Sequence, residues 1–300
     1  AWFLVSIFII LGDFLRGIWW NSIMLNEAFM SQIFFNVKKT NLAKQYFFHN
    51  GNWIYRPMWT YIAEGKGSKV YLYFYSTNVE GFIDNNVKKD FYSSYGYNSM
   101  SWSNYLVWNK FQKQFIKRVA NFDYNIKIVG PISFSDNGKK VSLKTKNTVA
   151  VFDVQPINQF YYKSLVPTYD YYNPNVVCNF LKDIQEYCEK FNLNIVFKPK
   201  GKRGTENTHI KYRNYVNNIF SKKNNIEIMD SSISAERIIE KSCAVISMPF
   251  TATSVYGKFK KKNSIFYDPT GYFSNNHSSA HDVLLINNKG DLKKWISQIN

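Results

Sequence analysis

The chain of 300 residues is poor in cysteine, poor in arginine and, over one long stretch, without any acid. Its three cysteines (Cys178, Cys188 and Cys243) lack metal-ligand spacing. An odd number of thiols inside regular elements fits a reduced, cytoplasmic protein rather than a disulfide framework. Only six of the 38 basic residues are arginine. A bias towards Lys, Asn and Ile can arise from base composition, so the net charge of +17 is weak support for nucleic-acid binding. The basic residues are scattered and form no recognised nucleic-acid module. GxxxxGK[ST], GxGxxG and GxSxG are all absent, which excludes a Walker loop, a dinucleotide fingerprint and a nucleophile-elbow hydrolase. The four histidines form no HExxH-type pair, so no metal site is expected.

Long hydrophobic runs are missing too. The opening AWFLVSIFIIL is eleven residues long and apolar but for Ser6, against about 20 for a membrane span. No basic segment or small-residue cleavage site surrounds it, so it does not read as a signal peptide. It reads as a buried strand or helix of a longer protein; the tail of a membrane span is the alternative.

What is present is 45% hydrophobic content and, from about residue 148, a regular alternation. TVAVFDV (148–154), NIVFKP (194–199), NIEIMD (225–230), CAVISM (243–248), NSIFYDP (263–269) and HDVLLIN (281–287) read as short buried strands. Helices fall between them. One is capped by Asn173 with Pro174 at its first position, and buries Val177, Phe180, Leu181, Ile184, Cys188 and Phe191. Another runs over about 208–220, a third follows Ser232 or Ser234, and a last one ends near Trp295. This pattern predicts an α/β fold with a parallel, doubly wound sheet, whose strand C-termini share one edge. The first half is similar in kind, with strands at 45–50, 69–77, 104–109 and 125–130 and helices near 12–31, 56–64 and 110–120. Gly130-Pro131 is a natural break, and residues 134–147 read as a linker or a hairpin. Two α/β domains are expected, 1–131 and 132–300, the first lacking its beginning.

In the second domain the residues at strand ends are the ones to weigh: Asp153, Gln155, Lys198, Lys200, Asp230, Ser231, Ser247, Tyr267, Asp268 and Thr270. The segment ISMPFTATS (246–254) places a hydroxyl cluster where a strand gives way to a helix, and residues 241–267 contain no acid. A helix start of this kind either has an ordinary Thr251 or Thr253 cap, or offers its N–H groups and dipole to an outside anion. The nearby KPKGKRG (198–204) puts four cations in six residues, as a solvated loop or as a phosphate cradle. The run Lys258–Lys262 closes its own helix and reads as structural.

YRPMWTYIAEGKGSKVYLYFYSTNVEGF (55–82), NYLVWNKFQKQFI (104–116), VGPI (129–132), VAVFDVQP (149–156), KPK (198–200) and ISMPFTATSVYG…SIFYDPTG (246–271) resemble bacterial surface-carbohydrate biosynthesis proteins of the O-antigen or capsule type. The second half also resembles, more distantly, the nucleotide-sugar domain of GT-B glycosyltransferases. The resemblance implies two Rossmann-like domains facing a cleft, with donor on the C-terminal one and acceptor on the N-terminal one. Carried onto this sequence, Lys198 and Lys200 meet the donor phosphate, and Ser247, Pro249, Phe250, Thr251 and Thr253 form the loop beneath it. Asp268 lies near the ribose or sugar. A base for an inverting reaction comes from His49 or Glu80, at strand ends of the first domain. The reaction needs no metal and no tightly bound cofactor, since cations and helix dipoles stabilise the leaving group.

The expected function is therefore metal-independent transfer of a sugar from a nucleotide-sugar to a glycan or lipid-linked acceptor. It would take place in the cytoplasm, peripheral on an anionic membrane surface. A silent scaffold of the same pathway, and a GT-B-like epimerase or polyol-phosphate transferase, are the alternatives. No nucleic-acid partner is expected.

Overall fold

Apolar runs of three to five residues become parallel strands, and the amphipathic stretches between them become the crossovers. The computed structural model describes residues 2–51, 55–77, 97–120, 124–132, 147–158, 171–200, 207–275 and 277–299. Two compact units result: Ala1–Tyr75 with Ser94–Gly130, and Ser76–Ser93 with Pro131–Asn300. The segment 134–147, read as linker or hairpin, falls almost wholly outside the described residues.

The N-terminal unit begins with two helices, α1 (Trp2–Leu15) and α2 (Trp20–Asn36), joined by a turn in which Gly17 has φ 81°. Then come β1 (Gln45–His49), α3 (Trp59–Gly65), β2 (Lys69–Tyr73), β3 (Asn104–Val107), α4 (Lys110–Val119) and β4 (Asn125–Ile128). All pairings are parallel and the order across the sheet is β1-β2-β3-β4. Trp102, Tyr105, Phe74 and Phe115 are fully buried in its core. Asn109 caps α4, accepting from the N–H groups of Phe111 (3.0 Å) and Gln112 (3.1 Å).

Two basic residues hold this unit together. Arg56, of the YRPMW stretch, is buried and donates to Thr60 Oγ1 (2.9 Å), Ser103 Oγ (2.8 Å) and Glu64 Oε2 (2.6 Å). Its guanidinium lies 3.9 Å from the Tyr61 ring centroid. Lys66 Nζ donates to the carbonyls of Phe34 (2.9 Å), Phe35 (2.6 Å) and Val37 (2.6 Å), so it caps the C-terminus of α2 from outside that helix.

The opening apolar run is helical, within α1, but it is not buried. Leu4, Phe8, Leu11 and Leu15 are 60, 73, 53 and 86% exposed. The reason is that α1 is apolar around most of its circumference, while α2 covers only one side of it.

The C-terminal unit comprises β5 (Thr148–Phe152), α5 (Pro174–Lys190), β6 (Asn194–Lys198), α6 (Ile210–Asn218), β7 (Ile226–Ile228), α7 (Ala235–Lys241), β8 (Ala244–Ser247), α8 (Ala252–Phe259), β9 (Asn263–Tyr267), β10 (Leu284–Ile286) and α9 (Lys289–Ser297). Among the described residues these strands pair in parallel, in the order β7-β6-β5-β8-β9-β10. This is the doubly wound arrangement, with its first and fourth strands, β5 and β8, adjacent at the point where the winding reverses. β5 and β8 are buried along their whole length, as strands covered on both faces must be. Asn173 caps α5 as its sequence predicts, accepting from Asn175 N (3.0 Å) and Val176 N (3.1 Å).

Candidate functional site

In a doubly wound sheet, ligands bind outside the strand C-termini where the winding reverses. Here that place is formed by the ends of β5 and β8, with β6 beside β5 and β9 beside β8. The chain leaves β8 through Met248-Pro249-Phe250-Thr251 and enters α8 at once. Phe250 makes this sharp turn possible by adopting φ 61°, a left-handed conformation that costs a residue with a Cβ about 1–3 kcal/mol. Its ring is held by Phe273 (4.8 Å between centroids), Phe266 (5.9 Å) and His277 (4.4 Å). Tyr172 donates its hydroxyl proton to the Pro249 carbonyl (2.7 Å). The turn is therefore fixed from both sides by aromatic residues.

The hydroxyl cluster beneath it forms a chain. Ser254 Oγ donates to the Ile265 carbonyl (2.7 Å), which leaves Ser247 Oγ to donate to Ser254 Oγ (2.6 Å). Thr251 Oγ1 reaches Ser247 Oγ (2.7 Å) and the Met248 carbonyl (3.0 Å). Ser264 Oγ returns a bond to the Ser254 carbonyl (2.8 Å), so α8 and β9 are tied in both directions. Close approach is also why Gly257 lies in α8: a Cβ there would meet Ser264 Oγ at 2.9 Å and Val245 Cγ2 at 3.0 Å. Ser247 and Ser254 have no exposed surface, so both brace the turn from inside.

This knot has a consequence above it. Thr251 stands at the N-cap of α8, yet its side chain makes no capping bond, and the first turn holds no acid. Ala252 and Thr253 are half-exposed. Among the described residues, the N–H groups and dipole of this helix start are left to whatever approaches from outside. Thr253 Oγ1, 3.2 Å from Thr251 Oγ1, is the hydroxyl placed to meet it.

Lys198 ends β6, half-buried, with Nζ 3.5 Å from the Pro199 carbonyl. Burial lowers its pKa below the ordinary lysine value, and the charges of Asp153 and Asp230 oppose that shift. Asp153 is buried after β5 and accepts from the hydroxyl of Tyr212 on α6. Lys200 is exposed, and the rest of KPKGKRG lies outside the described residues.

Asp268, at the end of β9, is completely buried and saturated by near neighbours. Its Oδ1 accepts from Tyr171 Oη (2.6 Å), Thr270 N (2.8 Å) and Thr270 Oγ1 (2.6 Å), and its Oδ2 from Phe273 N (2.9 Å). This carboxylate shapes the loop after β9. Burial and then Asp268 push the Tyr171 phenol far above its ordinary pKa, so it stays a donor at any working pH. Tyr267 points to α5, donating to Asp183 Oδ2 (2.7 Å), and is structural. So are Lys260 and Lys262: Lys260 donates to Glu240 Oε1 (2.7 Å), and Lys262 to the carbonyls of Glu240 (2.8 Å) and Ser242 (3.0 Å), just past α7.

In the N-terminal unit, His49 is exposed at the end of β1. Its Nδ1 accepts from Gly51 N (3.2 Å), and its ring meets Tyr75 edge-on at 5.8 Å. A neutral imidazole accepting at Nδ1 carries its proton on Nε2, so the outward nitrogen is a donor in this geometry. Glu80 lies outside the described residues. Among the described residues, no three His, Cys, Asp or Glu side chains come together as metal ligands.

The aromatic braces were not legible in the sequence, because Tyr171 and Tyr172 are far from their partners Asp268 and Pro249 along the chain. Nor was the hydroxyl chain: Ser247 ends β8 and meets Thr251 and Ser254 of the α8 start only through the turn between them.

Among curated proteins none matches the sequence. Of solved structures, the UDP-GlcNAc 2-epimerase from Methanocaldococcus jannaschii superposes with a TM-score of 0.52 at 11% identity, over 92% of this chain and 75% of the epimerase. That likeness shows a shared fold. TarM (TM-score 0.47, 11% identity, 92% of this chain) and the pneumococcal O-GlcNAc transferase GtfA (0.44, 12%, 92%) are also similar. This chain spans only 51% of TarM and 52% of GtfA. The chain's one Pro-Phe pair, in Pro249-Phe250-Thr251-Ala252, matches three letters of a motif, PFTS, that gives a family its name. The profile of that family covers residues 2–296, and the chain belongs to the polysaccharide biosynthesis PFTS motif proteins.

Proposed function

We propose that this protein transfers a sugar from a nucleotide-sugar to a glycan or lipid-linked acceptor during surface polysaccharide synthesis. The observation that carries the reading is the uncapped, acid-free start of α8 at the winding reversal, with Lys198 at the end of β6, in a chain of a polysaccharide biosynthesis family. A donor diphosphate there would take the N–H groups of the α8 start, the Thr253 hydroxyl and the Lys198 ammonium, with Lys200 as an outer cation. Pro249, Phe250, Thr251 and Ser247 fix that seat in shape, and Asp268 shapes the loop beside it. In this proposal stabilisation of the leaving diphosphate rests on fixed dipoles and cations, without a metal or tightly bound cofactor.

The assignment of residues 132–300 to the donor and 1–131 to the acceptor belongs to the same proposal. So do an O-antigen or capsule product, a cytoplasmic site and a peripheral place on an anionic membrane. His49, with its outward N–H, fits an acceptor-holding role at least as well as that of a base, and Glu80 is the other base candidate. A second reading, a sugar-nucleotide epimerase, is favoured by the fold likeness to the epimerase.

Thermal-shift screening against CMP-, UDP-, GDP- and dTDP-sugars tests the proposal. Stabilisation by one of them with slow release of free nucleotide supports transfer, and conversion into an epimeric nucleotide-sugar without loss of the nucleotide points to the epimerase. Stabilisation by none leaves a scaffold as the better account.

A further inference from the structure

The exposed face of α1 is unlike the surface around it. Leu4, Phe8, Leu11 and Leu15 stand at i, i+4, i+7 and i+11, on one side of the helix. Val5 (55% exposed) and Ile9 (59%) widen that side. Trp19 and Trp20 follow at the turn into α2, their rings edge to face with centroids 6.0 Å apart. Tryptophan at the end of an apolar helix is the residue type that settles at the headgroup level of a bilayer.

Charge is placed around this face and not in it. Asp13, the acid of α1, accepts a hydrogen bond from Asn21 Nδ2 (2.9 Å) on α2. Arg16 is exposed at one end of the helix pair, and Lys38 and Lys39 are exposed just past the end of α2. Among the described residues no helix is long and apolar enough to cross a membrane. Packed on α2 along one side and apolar on the other, α1 is suited to meet the boundary between headgroups and acyl chains.

We infer that α1, with Trp19 and Trp20, is a membrane seat: its apolar face enters the surface layer of an anionic bilayer while Arg16, Lys38 and Lys39 meet lipid headgroups. The inference rests on the peripheral placement proposed above and names the element responsible. The basic flanks and the net charge of +17 favour an anionic bilayer over a second, equally basic copy of the chain.

Flotation of the full chain with phosphatidylglycerol–phosphatidylcholine vesicles, against phosphatidylcholine alone, tests it. The protein should float with the anionic vesicles and less with the neutral ones. The double variant Phe8→Ser/Leu15→Ser should lower the partition coefficient at least about tenfold, with unchanged thermal unfolding because both residues are exposed. Equal flotation of wild type and variant overturns the inference. So does wild-type protein that stays in the aqueous fraction; a dimer dissolved by the same variant would then give the face to a second copy. UDP binding measured on the same samples keeps the two readings apart. A variant that loses vesicles but binds UDP leaves the donor site standing, and vesicle binding without nucleotide binding leaves only the seat.

Discussion

In the N-terminal unit the strands cross the sheet in chain order, β1-β2-β3-β4; in the C-terminal unit the order β7-β6-β5-β8-β9-β10 reverses between β5 and β8. Both sheets are parallel, so both bring their strand C-termini to one edge. Right-handed crossovers in chain order all lie on one face, whereas a reversal sends successive crossovers to opposite faces and opens a crevice between them. Among the described residues only the second sheet has that feature. Cations follow the same division. Arg56 is buried and bonded throughout in the first unit, while Lys198 in the second is half-exposed at the place where a ligand would arrive.

The sharpest way to break this contrast is at Arg56. Arg56→Met leaves Glu64 and Ser103 without their buried partner and should cost about 3–5 kcal/mol, read by urea denaturation, with UDP binding by the folded protein unchanged. A loss of nucleotide binding in that folded variant would mean that the first unit is no bystander to donor binding.

His281 gives the next effect. Burial lowers its pKa from 6.5 to about 4, so the folded state refuses a proton that the unfolded state accepts. Its contribution is fully present above pH 6.5 and is lost as pH falls towards 4, by about 3 kcal/mol in all. The stability of wild type should fall relative to that of His281→Gln as pH drops through that window; parallel profiles would remove His281 as the cause.

Two hydroxyls one residue apart then separate bracing from binding. Ser254→Ala takes away the donor to the Ile265 carbonyl and the acceptor of Ser247, and should cost about 1–3 kcal/mol. Thr253→Ala should change stability by less than about 0.5 kcal/mol while weakening UDP binding. The reverse pattern would exchange their roles.

The strands of the second unit were legible because each is an apolar run broken by turn residues, and parallel strands buried on both faces have that signature. The caps Asn109 and Asn173 are equally local. The fate of the opening run was not, since apolarity does not say whether a partner surface exists, and α2 covers only one side of α1. At the site, strand ends located Lys198, Ser247 and Asp268, but residue type could not separate a reachable group from one already engaged. Asp268 is taken by Tyr171, Thr270 and Phe273, and Ser247 by Thr251 and Ser254, contacts made by the folded chain and partly from far along the sequence. The acid-free stretch was informative for a related reason: it predicted a helix start without a carboxylate, and α8 has one.

Calorimetric titration of the nucleotide picked out by the thermal-shift screen into wild type and Lys198→Ala tests the central claim most directly. The account predicts saturable 1:1 binding by the wild type and at least about tenfold weaker binding by the variant, at unchanged stability, for loss of one charge-assisted bond to phosphate. Equal affinity in the two proteins would contradict it.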